Sequence, residues 1–445
     1  MAVIKPFAAI RYPQAQQTDL VSPPYDVLTA KDKDRLLQKN PHNIVEIDLP
    51  HVPPKNAGPQ EVYHQAGKTL QHWITTGVLQ RDGTETLYPY QQLYTHDGVT
   101  YRRRGLFCRV KLEEFGPAGM IHPHEQTFSG PKEDRLLLMR ATRANLSPVF
   151  GLYDDPTNTV TDRLFGAISG LKLLASAELP SMDGKSAVIS ELWSLKDPEA
   201  MAAVQKLMAP KHIYIADGHH RYSTCLNYRN ETVQNSGGQI SPEHPVNFAM
   251  FVLIAMQDPG LIVLPTHRVT ANLRNFSCEA FLKAGGNKLK KLSGPLPGSQ
   301  LSELEKKLPT FGKHAMGIYD PGRDEVVIAA TAESDPLAAA GSDKDLAGKS
   351  PAWRQLDVAI LQHLIFDQIV IPHFAADQNL QWAFPHEAHE VLELCRSGHY
   401  QAGFLLQPTP LDAVKQLCNA NELMPQKSTF FYPKLATGMV INPLW

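Results

Sequence analysis

The residues of this chain that could do chemistry gather in a few short runs. The densest is Tyr214-Ile215-Ala216-Asp217-Gly218-His219-His220-Arg221-Tyr222. Its first residues, with Lys211 to Ile213 before them, read as a strand, and Asp-Gly is a turn dipeptide. Beyond it Tyr222, Cys225 and Leu226 fall on one face of a helix. The backbone N–H groups at such a helix start, together with the helix dipole, make an anion site. Arg221 adds a planar fork that matches phosphate or carboxylate. Asp217 stands at the lip, where it could hold Mg2+ or accept a proton, and His219 and His220 add donors at neutral pH. The plainer alternative is that Asp217 only caps the helix and the histidines pack.

A second run is His122-Pro123-His124-Glu125-Gln126-Thr127, followed by Lys132, Asp134 and Arg135. In an extended chain the two histidines point to one side and, with Glu125, could bind a metal. Alternatively Glu125 is a general base or a Mg2+ ligand near a phosphate held by Lys132 or Arg135. The loop could also do no more than cap a helix over 131–144. A third run, Met424 to Lys434, offers Lys427, Ser428 and Thr429 to an anion and follows them with aromatics that form either a stacking wall or core. Pro265-Thr266-His267-Arg268 is a weaker polar cluster after a strand. Ser22-Pro23-Pro24-Tyr25-Asp26 is a rigid turn that could present Tyr25 and Asp26 to a site.

Two look-alikes fail on spacing. Gly348-Lys349-Ser350 resembles the end of a phosphate-binding loop, but Asp343 stands where that loop needs glycine, and Pro351 follows at once. His386-Glu387-Ala388-His389 has its histidines three apart rather than four, so the zinc-protease geometry is lost.

The elements that must position these runs are legible in outline. Strand-like stretches are expected at 2–11, 43–49, 148–153, 211–216 and 246–256. Segments 86–94 and 99–110 flank His96-Asp97-Gly98 as a hairpin. Helices are expected from Thr29 to Asn40, over 60–75 and 131–144, and after Gly218. A long helix is expected over 353–370, with Leu356, Ile360 and Leu364 on one face, and shorter ones near 386–397 and 411–420. A strand near 400–406 and a last one ending at Trp445 complete the pattern. The organisation expected is an N-terminal α/β segment (1–155), a core carrying the Asp-Gly-His-His-Arg run (156–330), a loop or linker (331–350) and a C-terminal α/β segment contributing to the site (351–445). The fold class is α+β, a mixed α/β architecture.

Composition narrows the function. Among 445 residues, 43 Lys and Arg stand against 45 Asp and Glu, a formal net charge of −2. A general nucleic-acid coat is therefore not expected, and Arg102-Arg103-Arg104 is the one basic run, read as a solvated face of a strand. The longest apolar run, Phe248 to Met256, falls far short of the ~20 residues a membrane helix needs, so no membrane span is expected. The first dozen residues lack the apolar stretch of a secretory signal, and five widely spaced cysteines form no metal or disulfide pattern. A reduced, cytoplasmic protein is expected.

Five ordered motifs carry a resemblance. They are Val21-Ser22-Pro23-Pro24-Tyr25-Asp26-Val27; His124-Glu125-x-Thr127 with Lys132-x-Asp134-Arg135; Ala216 to Tyr222; Pro265 to Arg268; and Met424-Pro425-x-Lys427-Ser428-Thr429. Together they resemble a bacterial family catalogued as domain of unknown function 1015, over nearly the whole chain. More distantly, the strand–Asp-Gly-His-His-Arg–helix is similar to the phosphate-binding box of the ParB/sulfiredoxin-like superfamily, and looks closer to that of free serine kinases than to the ParB box. That likeness implies a ParB/sulfiredoxin-like core over Ala187 to Met256, in the order strand, helix, strand, box, helix, strand. It implies that Gly218, His219, His220 and Arg221 cradle the phosphates of ATP or ADP, with Asp217 near the transferred phosphoryl.

The function expected is a nucleotide- and Mg2+-dependent phosphotransferase for a small hydroxylated metabolite, with free serine as the acceptor the resemblance suggests. Asp217, Glu125 and His220 are its expected catalytic groups, and Asp217 and Glu125 its metal ligands. Lys427, Ser428 and Thr429 join the nucleotide site. His124, Arg135, Tyr25, Asp26, His267 and Arg268 are expected at the substrate. A ParB-like nucleotide switch without turnover is one alternative. A metal-dependent hydrolase using His122, His124 and His219 or His220 is another.

Overall fold

The computed structural model describes all residues except 126–128, 183, 339–345, 347 and 376–378, and only the backbone of 129–131. The chain forms two compact units. The first comprises Met1–Pro123, Thr127–Ile262 and Pro433–Trp445; the second comprises His124–Gln126 and Val263–Tyr432.

A nine-stranded mixed sheet organises the first unit. Its order is Ile121–His122, Ile213–Asp217, Val149–Tyr153, Phe248–Ala255, Val99–Lys111, Tyr88–His96, Ala187–Leu192 and Ala175–Pro180, with Ile4–Lys5 added beside Val99–Lys111. The apolar run expected as a buried strand is the central one. Phe248–Ala255 pairs in parallel with Val149–Tyr153 and antiparallel with Val99–Lys111, and all eight of its residues are buried. A strand covered on both faces has no use for alternation. Tyr88–His96 and Val99–Lys111 form the expected hairpin, closed by Asp97 and Gly98, both at positive φ (49° and 76°).

The three arginines of that hairpin divide by strand alternation. Arg102 is exposed, whereas Arg103 is fully buried, donating to Gln92 Oε1 and the Pro433 carbonyl and lying 5.0 Å from the Phe150 ring. The basic run is therefore not a uniformly solvated face.

The helices follow their caps. Ala30–Lys39 opens on a Thr29–Asp32 capping box. Gln60–Thr75 buries Tyr63, Ala66, Leu70 and Trp73 on one stripe, and Gly67 lets it approach Ser129–Thr142, because a Cβ there would strike the Ala141 carbonyl. From Ala187 to Ala255 the elements run strand (Ala187–Leu192), helix (Pro198–Met208), strand (Ile213–Asp217), helix (His219–Asn235), strand (Phe248–Ala255).

The second unit is built on a six-stranded antiparallel sheet. Its order is Leu289–Pro297, Glu325–Thr331, Met316–Asp320, Ala402–Leu405, Arg268–Ala271 and Gln381–Ala383. Helices Leu301–Lys307 and Ala388–Arg396 pack Leu301, Leu304, Val391 and Cys395 onto Val269, Tyr319 and Ile328. Among the described residues no helix is long and apolar enough to cross a membrane.

Three expectations are corrected. Residues 43–49 are not a strand: Asn43 Oδ1 takes the Val45 N–H at 3.0 Å and starts a helical turn, Val45–Asp48. The helix expected over 353–370 breaks at Leu356, whose backbone is extended (φ −73°, ψ 127°). It resumes at Asp357 and widens to i→i+5 turns over Leu361–Val370. The boundary expected at 155/156 cuts through the first sheet, since Val149–Tyr153 pairs with both Ile213–Asp217 and Phe248–Ala255. Of the loop expected at 331–350, residues 339–345 and 347 lie outside the described residues.

Candidate functional site

The Asp217 turn forms as its residue types require. The Ile213–Asp217 strand ends, Gly218 adopts φ +93°, and the 17-residue helix His219–Asn235 begins. A Cβ on Gly218 would meet both the left-handed strain and the Arg221 side chain, 2.9 Å away at Nε. The first-turn N–H groups of this helix point toward the turn, where the dipole favours an anion.

Two cations meet Asp217. Lys434 Nζ donates to Asp217 Oδ2 at 3.1 Å, and Arg221 Nη2 lies 3.4 Å from the same oxygen. Burial opposes ionisation of Asp217, but Lys434, Arg221 and His219 outweigh it and hold the carboxyl well below the usual carboxylate range. Arg221 is itself buried, and its Nη1 donates to the Pro148 carbonyl. His219 is buried and His220 half-buried at the start of the helix.

Behind Arg221 lies a buried ionic frame. Arg135 Nη1 donates to the Asp48 carbonyl at 2.7 Å and lies 3.3 Å from Asp48 Oδ1. Arg135 Nε donates to Asp134 Oδ2 at 2.8 Å. The Tyr25 ring covers the Arg135 guanidinium at 3.8 Å. Asp134 also accepts from Tyr63 Oη, and Asp48 from Ser147 Oγ. Burial lowers and neighbouring acidic groups raise the Arg221 pKa, with Asp217 first, then Asp26, the Tyr25 phenol and Asp48; the net direction is up. Asp217, Gly218, His219, Arg221, Tyr25, Asp26 and Arg135 thus belong to one electrostatic neighbourhood. Arg135, expected at the substrate, is held here by two carboxylates and a ring.

The other expected residues lie in the second unit. His124, buried, places Nε2 2.8 Å from Thr429 Oγ1 and 3.8 Å from Glu125 Oε1. Glu125 Oε1 accepts the Ser428 N–H at 3.2 Å. Ser428 Oγ donates to the Pro425 carbonyl, and Lys427 is exposed at φ +58°. His267 is buried, with both ring nitrogens partnered. Leu406 N–H donates to its Nδ1 at 3.1 Å, which puts its proton on Nε2, where Glu305 Oε1 waits at 2.8 Å. Glu305 Oε2 also takes the Ala388 N–H at the start of Ala388–Arg396. Arg268 is buried with its donors on four carbonyls, those of Thr266, His267, Gln426 and Lys427.

The paired-histidine metal reading finds little support. His122 Nε2 sits 2.7 Å from His212 Nδ1, while His124 turns to Thr429. Among the described residues no group of three or more His, Cys, Asp or Glu could hold a metal ion. Gln126 and Thr127 lie outside the described residues. Sequence reasoning missed Lys434, Asp48 and Asp134 as parts of the site. Lys434 closed a quoted run without a role, and Asp48 had one faint signal, an acid set between Ile47 and Leu49 in the largely apolar stretch Ile44 to Leu49.

Solved structures similar to this chain include a free serine kinase in complex with AMP, at 10% identity and a TM-score of 0.33, covering 75% of this chain and 92% of that one. A conserved hypothetical protein from Pyrococcus furiosus matches at 10% identity and a TM-score of 0.33, covering 75% of this chain and 95% of that one. SbnI from Staphylococcus aureus, truncated at its C-terminus, matches at 9% identity and a TM-score of 0.32, covering 73% of this chain and 84% of that one. None of the curated proteins compared with the chain matches it. A family model does, over residues 4–359: the chain belongs to the family described as protein of unknown function DUF1015.

Proposed function

We propose that this protein binds a nucleotide, ATP or ADP, at the Asp217 turn and transfers a phosphoryl group to a small hydroxylated metabolite, free serine being the first acceptor to try. One observation carries the reading. Gly218 turns a strand into a helix N-terminus, and two cations, Lys434 and Arg221, stand on one carboxylate beside it. Phosphoryl transfer asks for positioning and charge neutralisation more than for covalent chemistry. The residues fit a phosphate: helix N–H groups, surplus positive charge and a glycine without a Cβ in the way.

In this proposal Gly218, His219, His220 and Arg221 hold the phosphates and Lys434 neutralises them. Asp217, held so far below its usual range, is a weak base, so it orients groups rather than removing a proton. His220, on the same turn, is the proposed proton acceptor. The fit to Mg2+ is poorer, because Asp217 is already matched by two cations. Mg2+ enters only as the companion of the nucleotide. A cytoplasmic location belongs to the same proposal and suits five buried cysteines that form no disulfide.

Thermal shift with ATP, ADP and CTP, each with and without Mg2+, tests the reading. A ligand at 100 times its Kd stabilises by about 2.7 kcal/mol. The expected result is a shift with ATP or ADP that Lys434→Met weakens, followed by phosphoserine formation in a 31P NMR assay. A response to CTP without turnover would turn the reading into a nucleotide switch. No response to any nucleotide would overturn it.

A further inference from the structure

The second unit carries a cleft that the nucleotide proposal does not use. Its volume is about 490 Å3, a size suited to small molecules. It opens at one end of the six-stranded sheet, beside the start of Met316–Asp320 and beyond the end of its neighbour Ala402–Leu405. The helix Leu411–Asn419 flanks it, and Pro351, Leu356, Pro408 and Pro410 give it apolar walls.

Lys313 and His314 converge there on a single oxygen. Lys313 Nζ donates to Gln355 Oε1, and His314 Nε2 lies 3.1 Å from the same atom. Gln355 is oriented by its own Nε2, which donates to the Ser334 carbonyl at 2.8 Å and leaves Oε1 toward Lys313 and His314. On the far side of the imidazole, Nδ1 meets Asp357 Oδ1 at 2.6 Å. Both ring nitrogens thus face side-chain oxygens, those of Gln355 and Asp357. His314 is buried and holds this place with φ +59°, a strained value for a residue with a Cβ. The break at Leu356 is what brings Asp357 to it. A neutral amide oxygen is a weaker partner for the Lys313 ammonium and an imidazole N–H than an ionised carboxylate.

We infer that this cleft binds a small organic carboxylate, whose anionic oxygen replaces Gln355 Oε1 at Lys313 and His314 and whose apolar body lies against Pro351, Leu356, Pro408 and Pro410. The inference stands apart from the nucleotide reading, since it uses none of the residues of the Asp217 turn.

Calorimetric titration of the full chain with phenylacetate tests it, with 2-phenylethanol as the neutral counterpart and inorganic phosphate as the anion without an apolar body. Phenylacetate is expected to bind saturably and the other two not. Lys313→Met and His314→Asn are each expected to weaken phenylacetate about tenfold, the loss of one charge-assisted hydrogen bond. Asparagine tolerates the left-handed backbone. Lys313 is exposed, so its variant keeps the fold even where His314→Asn does not. Absence of saturable heat with phenylacetate overturns the inference. So does an affinity that Lys313→Met leaves unchanged, or equal binding of 2-phenylethanol.

Discussion

Two buried arginines, one in each unit, show opposite ways of keeping a guanidinium out of water. Arg135 in the first unit is matched by charge, with Asp48 and Asp134 on either side and the Tyr25 ring across its face. Arg268 in the second unit is matched by dipoles. Its donors reach four carbonyls, and among the described residues no carboxylate forms an ion pair with it. Burial pulls the Arg268 pKa down to about 10, with Glu125 opposing only in part. For Arg135 the same burial is outweighed by carboxylates, and its pKa moves up. A cation neutralised by carboxylates is framework. A cation solvated by carbonyl dipoles keeps a net charge that its surroundings have not cancelled.

The largest expected effect tests the frame. Arg135→Met strands two buried carboxylates and is expected to destabilise the fold by about 3–5 kcal/mol in urea denaturation. Arg268→Met strands only carbonyls, so about 1–3 kcal/mol is expected; a loss as large as that of Arg135→Met would break the distinction between the two arginines. Gly218→Ala is expected to cost about 1–2 kcal/mol, from the positive φ and the crowding against Arg221. It should also abolish any nucleotide-induced thermal shift.

The smallest effect is the most specific. Lys434→Met removes one of two cations from a partly exposed pair, so about 1 kcal/mol or less is expected at pH 7. The folded pKa of Asp217 is depressed, so the stability it contributes is complete above the unfolded value of about 4 and is lost as pH falls toward the folded one. The gap between Lys434→Met and wild type should therefore narrow below about pH 4. A constant gap from pH 7 to pH 3 would remove Asp217 from the account.

What the sequence made legible was local. The capped helix after Thr29, the helix Gln60–Thr75, the Asp97-Gly98 hairpin and the strand–Gly218–helix turn each follow from residues within a few positions of one another. Partnerships were not legible. Lys434 meets Asp217 across 217 residues, and Asp48 meets Arg135 across 87. No periodicity or spacing encodes such a contact. The misreading of Asn43 is different in kind: its side chain offered the backbone a local hydrogen bond, and that bond displaced the strand the apolar residues suggested. The partners of His267 were likewise illegible: its two nitrogens meet Leu406 and Glu305, 139 and 38 residues away.

The first unit is assembled from non-contiguous stretches of chain, and its last stretch, Pro433–Trp445, supplies Lys434. On the ribosome this imposes an order. Asp217 emerges early, with Arg221 just behind it, while its second cation waits until all of Val263–Tyr432 has been made. Domains fold as they appear, so a nascent first unit spends that interval with a half-compensated carboxylate at its turn. The Asp217 turn is completed only once residue 434 has been made, and a chain released before it would leave Asp217 with Arg221 and His219 but without Lys434.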